Sequence, residues 1–247
     1  MAGLAQLAED HGYQSFWFNL RAGATDPFSA LKAITEQTKA IEVGIGVFPL
    51  DAYSAEEIAR KIKDQGLSSS RIILGLASGK IVKGGLHAIE SAAAHLRVEV
   101  PACRIAIGGY GPKVLSLAGG MANVALGNWL TPERLSWVRQ QVAIGASLVG
   151  RQAPDVYLYH RAAQGDSARA RLSEELTNYR KYPVHQRHQQ NMGNPAMIGI
   201  AANSRMDIEL QLQPYRDLCL PVLKLLPEDG SDVAEWETLV RFFRPDS

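Results

Sequence analysis

The sequence predicts an α/β fold of the TIM (β/α)8 type, in which parallel strands alternate with helices. Three observations carry this prediction: short apolar runs alternate with amphipathic segments, the apolar runs are continuous, and several middle ones end in glycine-rich turns. Continuous apolar strands indicate a sheet covered on both faces, which is typical of parallel sheets. A doubly wound open sheet is the rival, but it normally places its glycine-rich phosphate turn after the first strand.

Seven segments have the composition of short buried strands. They are residues 15–18, 41–48, 71–76, 104–107, 123–128, 155–160 and 219–226. Helices are predicted between them, starting with residues 4–11, and their first residues include recognisable N-caps. Asp26 precedes Pro27, and Ser54 stands three residues before Glu57. Seven strands are one short of a complete barrel, so we expect a barrel shortened by its first strand.

A single domain is predicted for residues 1–247. The interval at about residues 164–218 differs from the rest because it is polar and has helical spacing. Within it, Ser204 and Asp207 stand at the positions of a capping box. We interpret this interval as a helical excursion, after which the chain returns to a last strand and a closing helix.

Composition excludes several classes of function. The formal net charge of +1 gives no electrostatic reason to bind nucleic acid. No apolar run approaches the roughly 20 residues that span a bilayer, and no basic segment precedes an apolar one at the N-terminus. Cys103 and Cys219 are too few for a disulfide framework, so both are predicted to be small buried residues. A cytoplasmic protein with no nucleic-acid or membrane partner is expected.

The most informative segment follows the strand at residues 104–107. It reads Gly108-Gly109-Tyr110-Gly111-Pro112-Lys113. The glycines allow backbone angles that a side chain would forbid, and Pro112 suits the first position of a helix, which is predicted to stop at Gly119-Gly120. The free N–H groups of such a helix can hold a phosphate, with Lys113 as an adjacent cation. A tight turn without a ligand stays open, because neither the P-loop nor the GxGxxG spacing is present.

Several segments, taken together and in order, carry a resemblance to a known family. They are GYQSFWFN at residues 12–19, DPF at 26–28, VGIGVFP at 43–49, RIILGLASG at 71–79, GPK at 111–113 and NWLTP at 128–132. The set resembles the bacterial luciferase-like family of flavin- and deazaflavin-dependent oxidoreductases, and is most similar to the branch that uses coenzyme F420. The resemblance covers most of residues 3–160 and, more weakly, 219–243.

This resemblance implies a TIM barrel with F420 or FMN at the C-terminal ends of the strands. The family often has a bulge and a non-prolyl cis peptide under the flavin ring, and Gly46-Val47-Phe48 is the matching position. Phosphate contacts are expected from Ser78 and Gly79 and from residues 109–113. In particular, Gly109, Tyr110, Gly111, Pro112 and Lys113 are implied cofactor contacts.

The sequence departs from the family in two ways. Members usually have a strand before the first helix, whereas this chain begins at that helix. They also often carry an acidic residue or histidine after the strand that matches residues 16–18, where Asn19-Leu20-Arg21 stand here. A catalytic acid or base therefore cannot be carried over from the family.

Few residues are candidates for the remaining chemistry. Asn19 and Asn128 follow predicted strands and could hydrogen-bond a flavin or a substrate, or could cap loops. Trp129 could line the pocket or pack in the core. His160 is the best of the six histidines for proton transfer. His185 and His188 are three residues apart but lack a third ligand, so a solvated helix face is expected there rather than a metal site.

The function predicted is that of a luciferase-like monooxygenase or related oxidoreductase. It would transfer a hydride between bound F420 or FMN and a small organic substrate, because such a cofactor carries the redox chemistry itself. A homodimer is expected, since a missing strand would leave two edges to be covered. A non-catalytic flavin-binding protein on a truncated barrel is the alternative, and a truncated product without a ligand is a third interpretation.

Overall fold

The computed structural model describes residues 1–20, 26–67, 69–181, 183–190 and 198–245. Arg21, one of the three residues that stand where family members often carry an acidic residue or histidine, lies outside these ranges. The contacts divide the chain into two compact units. The first unit comprises residues 1–126 and 141–155, and the second comprises residues 127–140 and 156–247. The single domain expected from the sequence stays a prediction.

The first unit is built from alternating helices and strands. In chain order these are α1 (Ala2–Asp10), β1 (Ser15–Phe18), α2 (Pro27–Gln37), β2 (Glu42–Pro49), α3 (Ala55–Asp64), β3 (Ile72–Ala77), α4 (Gly85–Glu99), β4 (Arg104–Gly108) and α5 (Pro112–Met121). Strand β5 (Val124–Asn128) and helix α6 (Pro132–Leu148) each have residues in both units.

Strands β1 to β5 pair in sequence order, and every pair is parallel. Each strand is followed by a helix, which is the crossover that parallel pairing requires. The middle strand has the continuous apolar sequence expected for burial on both faces, and Ile72, Ile73 and Leu74 are completely inaccessible. The parallel sheet that the sequence predicts from the alternation of strands and helices is confirmed for β1 to β5.

Side-chain caps begin the helices where the sequence placed them. The Asp26 carboxylate accepts a hydrogen bond from the Ser29 N–H at 2.8 Å, and the Ser54 hydroxyl accepts one from the Glu57 N–H at 3.1 Å. Such caps satisfy N–H groups that the helix itself cannot pair. The capping predictions for α2 and α3 are confirmed.

Helix α5 corrects one prediction, because it continues through Gly119 and Gly120 to Met121. A Cβ added at Gly119 would overlap the carbonyl oxygen of Val142 and lie 2.8 Å from its carbonyl carbon. The packing of α5 against α6 is therefore too close for a side chain at this point. Gly119 is a packing residue and not a helix terminator, which a local stop signal cannot distinguish.

The second unit follows the end of β5 and the start of α6. It contains β6 (Asp155–Gln164) apart from its first residue, and then α7 (Ala168–Tyr179), α8 (Pro183–Gln190), β7 (Ile200–Ala202), α9 (Arg205–Leu212), a 3-10 turn (Gln213–Tyr215), β8 (Leu220–Leu225) and α10 (Val233–Phe242). Strand β6 pairs in parallel with both β7 and β8.

Strand β7 was not predicted from the sequence, which indicated only helices at about residues 164–218. It has three residues, and Gly199 before it has a positive φ of 97°. A run of three residues is too short to show a strand period, and its pairing with β6 forms only in the folded chain. The described residues thus contain eight strands, where seven were counted. The capping box of Ser204 and Asp207 at the start of α9 is confirmed.

The two cysteines are buried and free, as predicted. Burial raises the pKa of Cys219 to about 12 and also raises that of Cys103, so neither thiol is activated as a nucleophile. Within the described ranges, no helix is long and apolar enough to cross a membrane.

Candidate functional site

The carboxyl ends of β3 and β4 lie at one edge of the sheet in the first unit. Leu76 pairs with Ile107 in a parallel register, so the two strands finish side by side. The turn after Ala77 and the turn after Gly108 therefore leave the sheet at the same edge. This placement, which the barrel interpretation required, is confirmed. Asn19 is exposed just beyond the carboxyl end of β1, which runs parallel to β2.

The end of β2 has the irregularity that the family resemblance implied. The Gly46–Val47 peptide is cis, and the pairing with β3 shifts register between Ile45 and Phe48. The Val47 side chain lies close to two glycines, with its Cγ1 3.0 Å from a Cβ built at Gly75 and 3.6 Å from one built at Gly108. Glycine at these positions of β3 and β4 leaves the space that Val47 occupies. The predicted bulge and cis peptide are confirmed.

The turn between β4 and α5 leaves the N-terminus of the helix open. Gly111 is the N-cap of α5 and supplies no side-chain cap to the first N–H groups, and Pro112 is at the first helical position. A Cβ added at Gly111 would meet nothing within 4 Å. Uncapped N–H groups, the positive end of the helix dipole and the nearby Lys113 fit a phosphate group, and there is room for one.

The glycines of this turn are present for a different reason from the one predicted. Gly111 has φ −89° and ψ 157°, an extended conformation that other residues adopt, and Gly109 is not among the positive-φ glycines. Instead, a Cβ at Gly109 would overlap the Val114 side chain, with Val114 Cγ2 at 2.9 Å. Space, and not backbone conformation, requires glycine at position 109, while position 111 is free to accept a side chain.

The turn after β3 is less suited to a phosphate. Gly79 has φ +61°, and a Cβ there would overlap the Asp51 carboxylate, whose Cγ would be 2.8 Å away. A carboxylate against this turn would repel a phosphate at the same place. The role of Ser78 and Gly79 in phosphate binding stays a prediction, and the turn before α5 is the better-supported position.

A buried arginine organises the second unit, and it was not identified from the sequence as a functional residue. Arg161 in β6 is 1% exposed and donates a hydrogen bond to the side-chain oxygen of Asn128. Its guanidinium lies over two aromatic rings, 3.9 Å from the centre of the Trp129 ring and 4.7 Å from that of Tyr179. Its Nε is 3.7 Å from a carboxylate oxygen of Glu175.

The sequence contains one indication of the cluster around Arg161, which is a charged residue in a largely apolar strand. Charged side chains are rarely fully buried unless they are paired. Arg161 met that description, but its partners Trp129, Glu175 and Tyr179 are distributed over 51 positions of the chain and have no common motif. The oxygen of Asn128 is already engaged by Arg161, and a flavin contact at Asn128 stays a prediction.

Helix α8 corrects the expectation of a solvated histidine pair. His188 is buried, and its Nε2 lies 2.9 Å from the carbonyl oxygens of both Asn128 and Trp129. Since carbonyls only accept, Nε2 carries the proton and donates. Trp129 has a positive φ of 55°, and the His188 ring binds the carbonyls at this turn. His188 is therefore structural, and the described residues contain no group of three or more candidate metal ligands.

His160 is also buried, at 2% exposure. Its ring meets the Tyr215 ring edge to face with centres 4.4 Å apart, and its Nε2 has no hydrogen-bond partner among the described residues. Burial lowers the pKa of His160 to about 4, so the ring is neutral at physiological pH. Proton transfer by His160 or Asn19 stays a prediction, and the apolar surroundings of His160 do not favour it.

The two buried histidines predict a loss of stability in mild acid. Burial lowers the pKa of His160 and of His188 to about 4, below the ordinary 6.5. Between pH 4 and pH 6.5 the unfolded chain binds more protons than the folded chain. The contribution of these two histidines to the free energy of unfolding is therefore fully present above pH 6.5 and is lost as the pH falls towards 4. The loss is at most about 3 kcal/mol for each ring. Urea unfolding measured across this pH range should show the decline.

Matched variants isolate the histidine contribution. His160→Phe keeps a buried aromatic ring without a titrating group, so its decline should be smaller than that of the parent. His87, whose side chain is 83% exposed, provides the control, and His87→Gln should leave the decline unchanged. Equal declines in the parent and in His160→Phe would assign the acid sensitivity to other groups.

Solved structures show the fold class that these elements define. The chain superposes over 98% of its length on the coenzyme F420-dependent tetrahydromethanopterin reductase of Methanopyrus kandleri, with a TM-score of 0.75, 14% identity and 93% of that chain covered. An F420-dependent secondary alcohol dehydrogenase in complex with an F420-acetone adduct gives 0.76, 13% identity and 92% coverage of its chain. The predicted TIM-barrel class is confirmed.

An FMN-containing structure has the same fold. The oxygenating constituent of 3,6-diketocamphane monooxygenase from Pseudomonas putida, in complex with FMN, matches 98% of this chain and 90% of its own, with a TM-score of 0.71 and 15% identity. At the sequence level, residues 1–84 match the model of the luciferase-like monooxygenases. The resemblance found in the sequence motifs is confirmed.

Two curated relatives match parts of the chain. A 5,10-methylenetetrahydromethanopterin reductase of Methanolobus tindarius is 26% identical over 212 residues, which are 71% of this chain and 65% of the relative. The uncharacterized protein YwcH of Bacillus subtilis is 40% identical over 79 residues, or 30% of this chain and 24% of the relative. The aligned parts thus cover less than two thirds of either relative.

Proposed function

We propose that the chain is a flavin- or deazaflavin-dependent oxidoreductase that transfers a hydride between bound F420 or FMN and a small organic substrate. One observation carries the proposal: the uncapped, open N-terminus of α5 lies at the same sheet edge as the bulged end of β2. The names of the structural neighbours support it, since they include an F420-dependent reductase, an F420-dependent alcohol dehydrogenase and an FMN-bound monooxygenase.

The residues of the first unit have complementary roles in this proposal. The N–H groups at the start of α5 and the Lys113 ammonium would hold the phosphate of the cofactor. Gly109 keeps the turn compact, and the open space at Gly111 accommodates the anion. Val47, whose side chain lies over the glycines of β3 and β4, would support the ring of the cofactor. When bound, the flavin or deazaflavin supplies the hydride chemistry, and these residues supply binding and orientation.

Binding without turnover is a second candidate function, and one observation favours it. Of the two residues considered for proton transfer, His160 is buried with a pKa lowered to about 4, and Asn19 has no titrating group. A protein without a residue for proton transfer could hold a flavin and not process a substrate. The first function remains preferred, because hydride transfer itself takes place on the cofactor.

Titration of the purified protein with F420 and with FMN tests both candidates. We expect one of them to bind with a change in absorbance or fluorescence, and the bound reduced form to be reoxidised by a carbonyl, an unsaturated compound or oxygen. Binding without any reoxidation would favour the non-catalytic protein. Failure of both cofactors to bind would contradict the proposal as a whole.

We infer that the chain forms a homodimer. Strand β1 ends the path of paired strands in the described residues, with β2 as its strand neighbour. Such an edge presents N–H and C=O groups that a second chain can cover. Light scattering over a wide concentration range should give the mass of two chains, and a monomer at all concentrations would contradict this. A cytoplasmic location is also proposed, since both cysteines are free.

A further inference from the structure

The end of β3 lies between the two positions proposed for the cofactor. Strand β3 pairs with β2 on one side and with β4 on the other. The ring is proposed to lie over Val47 at the end of β2, and the phosphate at the start of α5, which follows β4. Neighbouring strands are about 4.8 Å apart, so these two positions are about 10 Å apart along the sheet edge. The part of the cofactor that joins the ring to the phosphate therefore crosses the end of β3.

A carboxylate lies at this crossing point. Asp51 follows the end of β2, and a Cβ built at Gly79, in the turn after β3, would overlap its Oδ1 and lie 2.8 Å from its Cγ. The Leu50 N–H donates a hydrogen bond to the Ala77 carbonyl oxygen at 2.9 Å, which ties the turn after β2 to the end of β3. The Asp51 carboxylate is therefore held against the turn after β3.

This carboxylate is accessible as well as positioned. Gly79 has φ +61°, a left-handed conformation that favours glycine, and it has no side chain that could cover the carboxylate. Asp51 and Gly79 are both exposed. A ligand that lies along the sheet edge can thus reach an oxygen of Asp51 without any rearrangement of the turn.

The chemistry of a carboxylate decides which part of the cofactor it can contact. A carboxylate only accepts hydrogen bonds, and it repels a phosphate. In both FMN and F420 the ring is joined to the phosphate by a polyol chain, whose hydroxyl groups donate hydrogen bonds. A hydroxyl that donates to a carboxylate forms a charge-assisted hydrogen bond, which is stronger than a neutral one. Asp51 therefore fits the polyol and not the phosphate.

We propose that Asp51 binds the hydroxyl groups of the polyol chain of the cofactor and fixes this chain between the ring at β2 and the phosphate at α5. The inference rests on the proposed function, because it takes the positions of the ring and the phosphate from there. It gives the turn after β3 a contact with the polyol, to which a carboxylate is suited.

Affinities of three forms of the cofactor, measured by flavin fluorescence on the parent and on Asp51→Ala, test the proposal. FMN has the ring, the polyol and the phosphate, riboflavin lacks the phosphate, and lumiflavin has a methyl group in place of the whole chain. If the parent binds F420 instead, the corresponding deazaflavins are used. We expect Asp51→Ala to weaken riboflavin binding at least tenfold and to leave lumiflavin binding unchanged, because lumiflavin has no hydroxyl group to lose.

The response of FMN separates a polyol contact from simple repulsion of the phosphate. In Asp51→Ala, FMN should lose less affinity than riboflavin, because the same substitution removes a charge that repels the phosphate. Gly111→Asp should give the opposite pattern, with FMN weakened and riboflavin unchanged. Tighter FMN binding by Asp51→Ala with unchanged riboflavin binding would show that the carboxylate only repels the phosphate, and would overturn the proposal.

Two further variants control for charge and for structure. Asp51→Asn keeps the shape and an acceptor oxygen without the charge, so its loss of riboflavin affinity should lie between those of the parent and Asp51→Ala. Asp64→Ala removes a carboxylate that is 58% exposed at the end of α3 and should change no affinity. Thermal unfolding checks that each variant is folded. If Asp51→Ala weakens riboflavin and lumiflavin equally, Asp51 acts through the shape of the turn and the proposal fails.

The same measurements distinguish this inference from the proposed function. Unchanged riboflavin affinity in Asp51→Ala, with FMN or F420 bound by the parent, would contradict the polyol contact alone. Failure of the parent to bind either cofactor would contradict both.

Discussion

Replacing Gly111 by aspartate should weaken the binding of F420 or FMN at least tenfold while leaving the protein folded. The substitution puts a carboxylate at the N-cap of α5, where the cofactor phosphate is proposed to bind, and the two anions repel each other. The new side chain would also accept hydrogen bonds from the N–H groups that the phosphate needs. Each such contact contributes about 1.5–3 kcal/mol, equivalent to a tenfold or greater change in Kd.

The structure makes this a cleaner experiment than the sequence alone indicates. Gly111 has a negative φ, and a Cβ there meets nothing within 4 Å, so neither backbone strain nor a clash is added. Aspartate is a preferred N-cap residue, and the thermal midpoint should therefore be unchanged or slightly higher. Cofactor affinity and thermal midpoint are measured together on each variant.

Two further substitutions at the same position separate the causes. Gly111→Ala adds only a Cβ and should bind the cofactor as the parent does. Gly111→Asn adds a neutral cap of almost the same shape as aspartate and should give an intermediate loss. If Gly111→Asp binds both F420 and FMN with the affinity of the parent, the phosphate is not at this turn, and the turn is only a connection between β4 and α5.

The sheet of the first unit could be predicted because its signals are local. Continuous apolar runs such as residues 72–76 are buried on both faces, and caps such as Asp26 act within their own helix. Strand β7 could not be predicted, since its three residues become a strand only by pairing with Ala162 and its neighbours. The conformation of residues 200–202 is therefore determined by tertiary pairing with β6 and not by local propensity.

The candidate site shows the same division between local and distant causes. The turn before α5 was evident from its glycines and Pro112, because the chemistry of a helix N-terminus is contained in consecutive residues. The cluster around Arg161 was not evident, because its geometry joins a strand, a loop and a helix from distant parts of the sequence. The reason for glycine at Gly109 was also hidden, since it depends on the position of Val114.

The difference between local and distant causes also predicts a large effect of the substitution Gly119→Ala on stability. Local reasoning predicts that Gly119→Ala stabilises a helix, because glycine in a helix interior costs roughly 0.5–1 kcal/mol relative to alanine. The structure predicts the opposite. The new Cβ would overlap the Val142 carbonyl oxygen and lie 2.9 Å from the Ala146 nitrogen, and these backbone atoms cannot move like the end of a side chain.

We therefore expect Gly119→Ala to lower the free energy of unfolding by about 3 kcal/mol or more, as overpacking against backbone does. Gly120 is the matched control, because its added Cβ would be 3.5 Å from the Gly145 carbonyl oxygen, an ordinary contact. Gly120→Ala should raise stability by up to about 1 kcal/mol. Urea unfolding of both variants measures the difference. Equal stability of the two variants would show that α5 and α6 are not packed as closely as this contact requires.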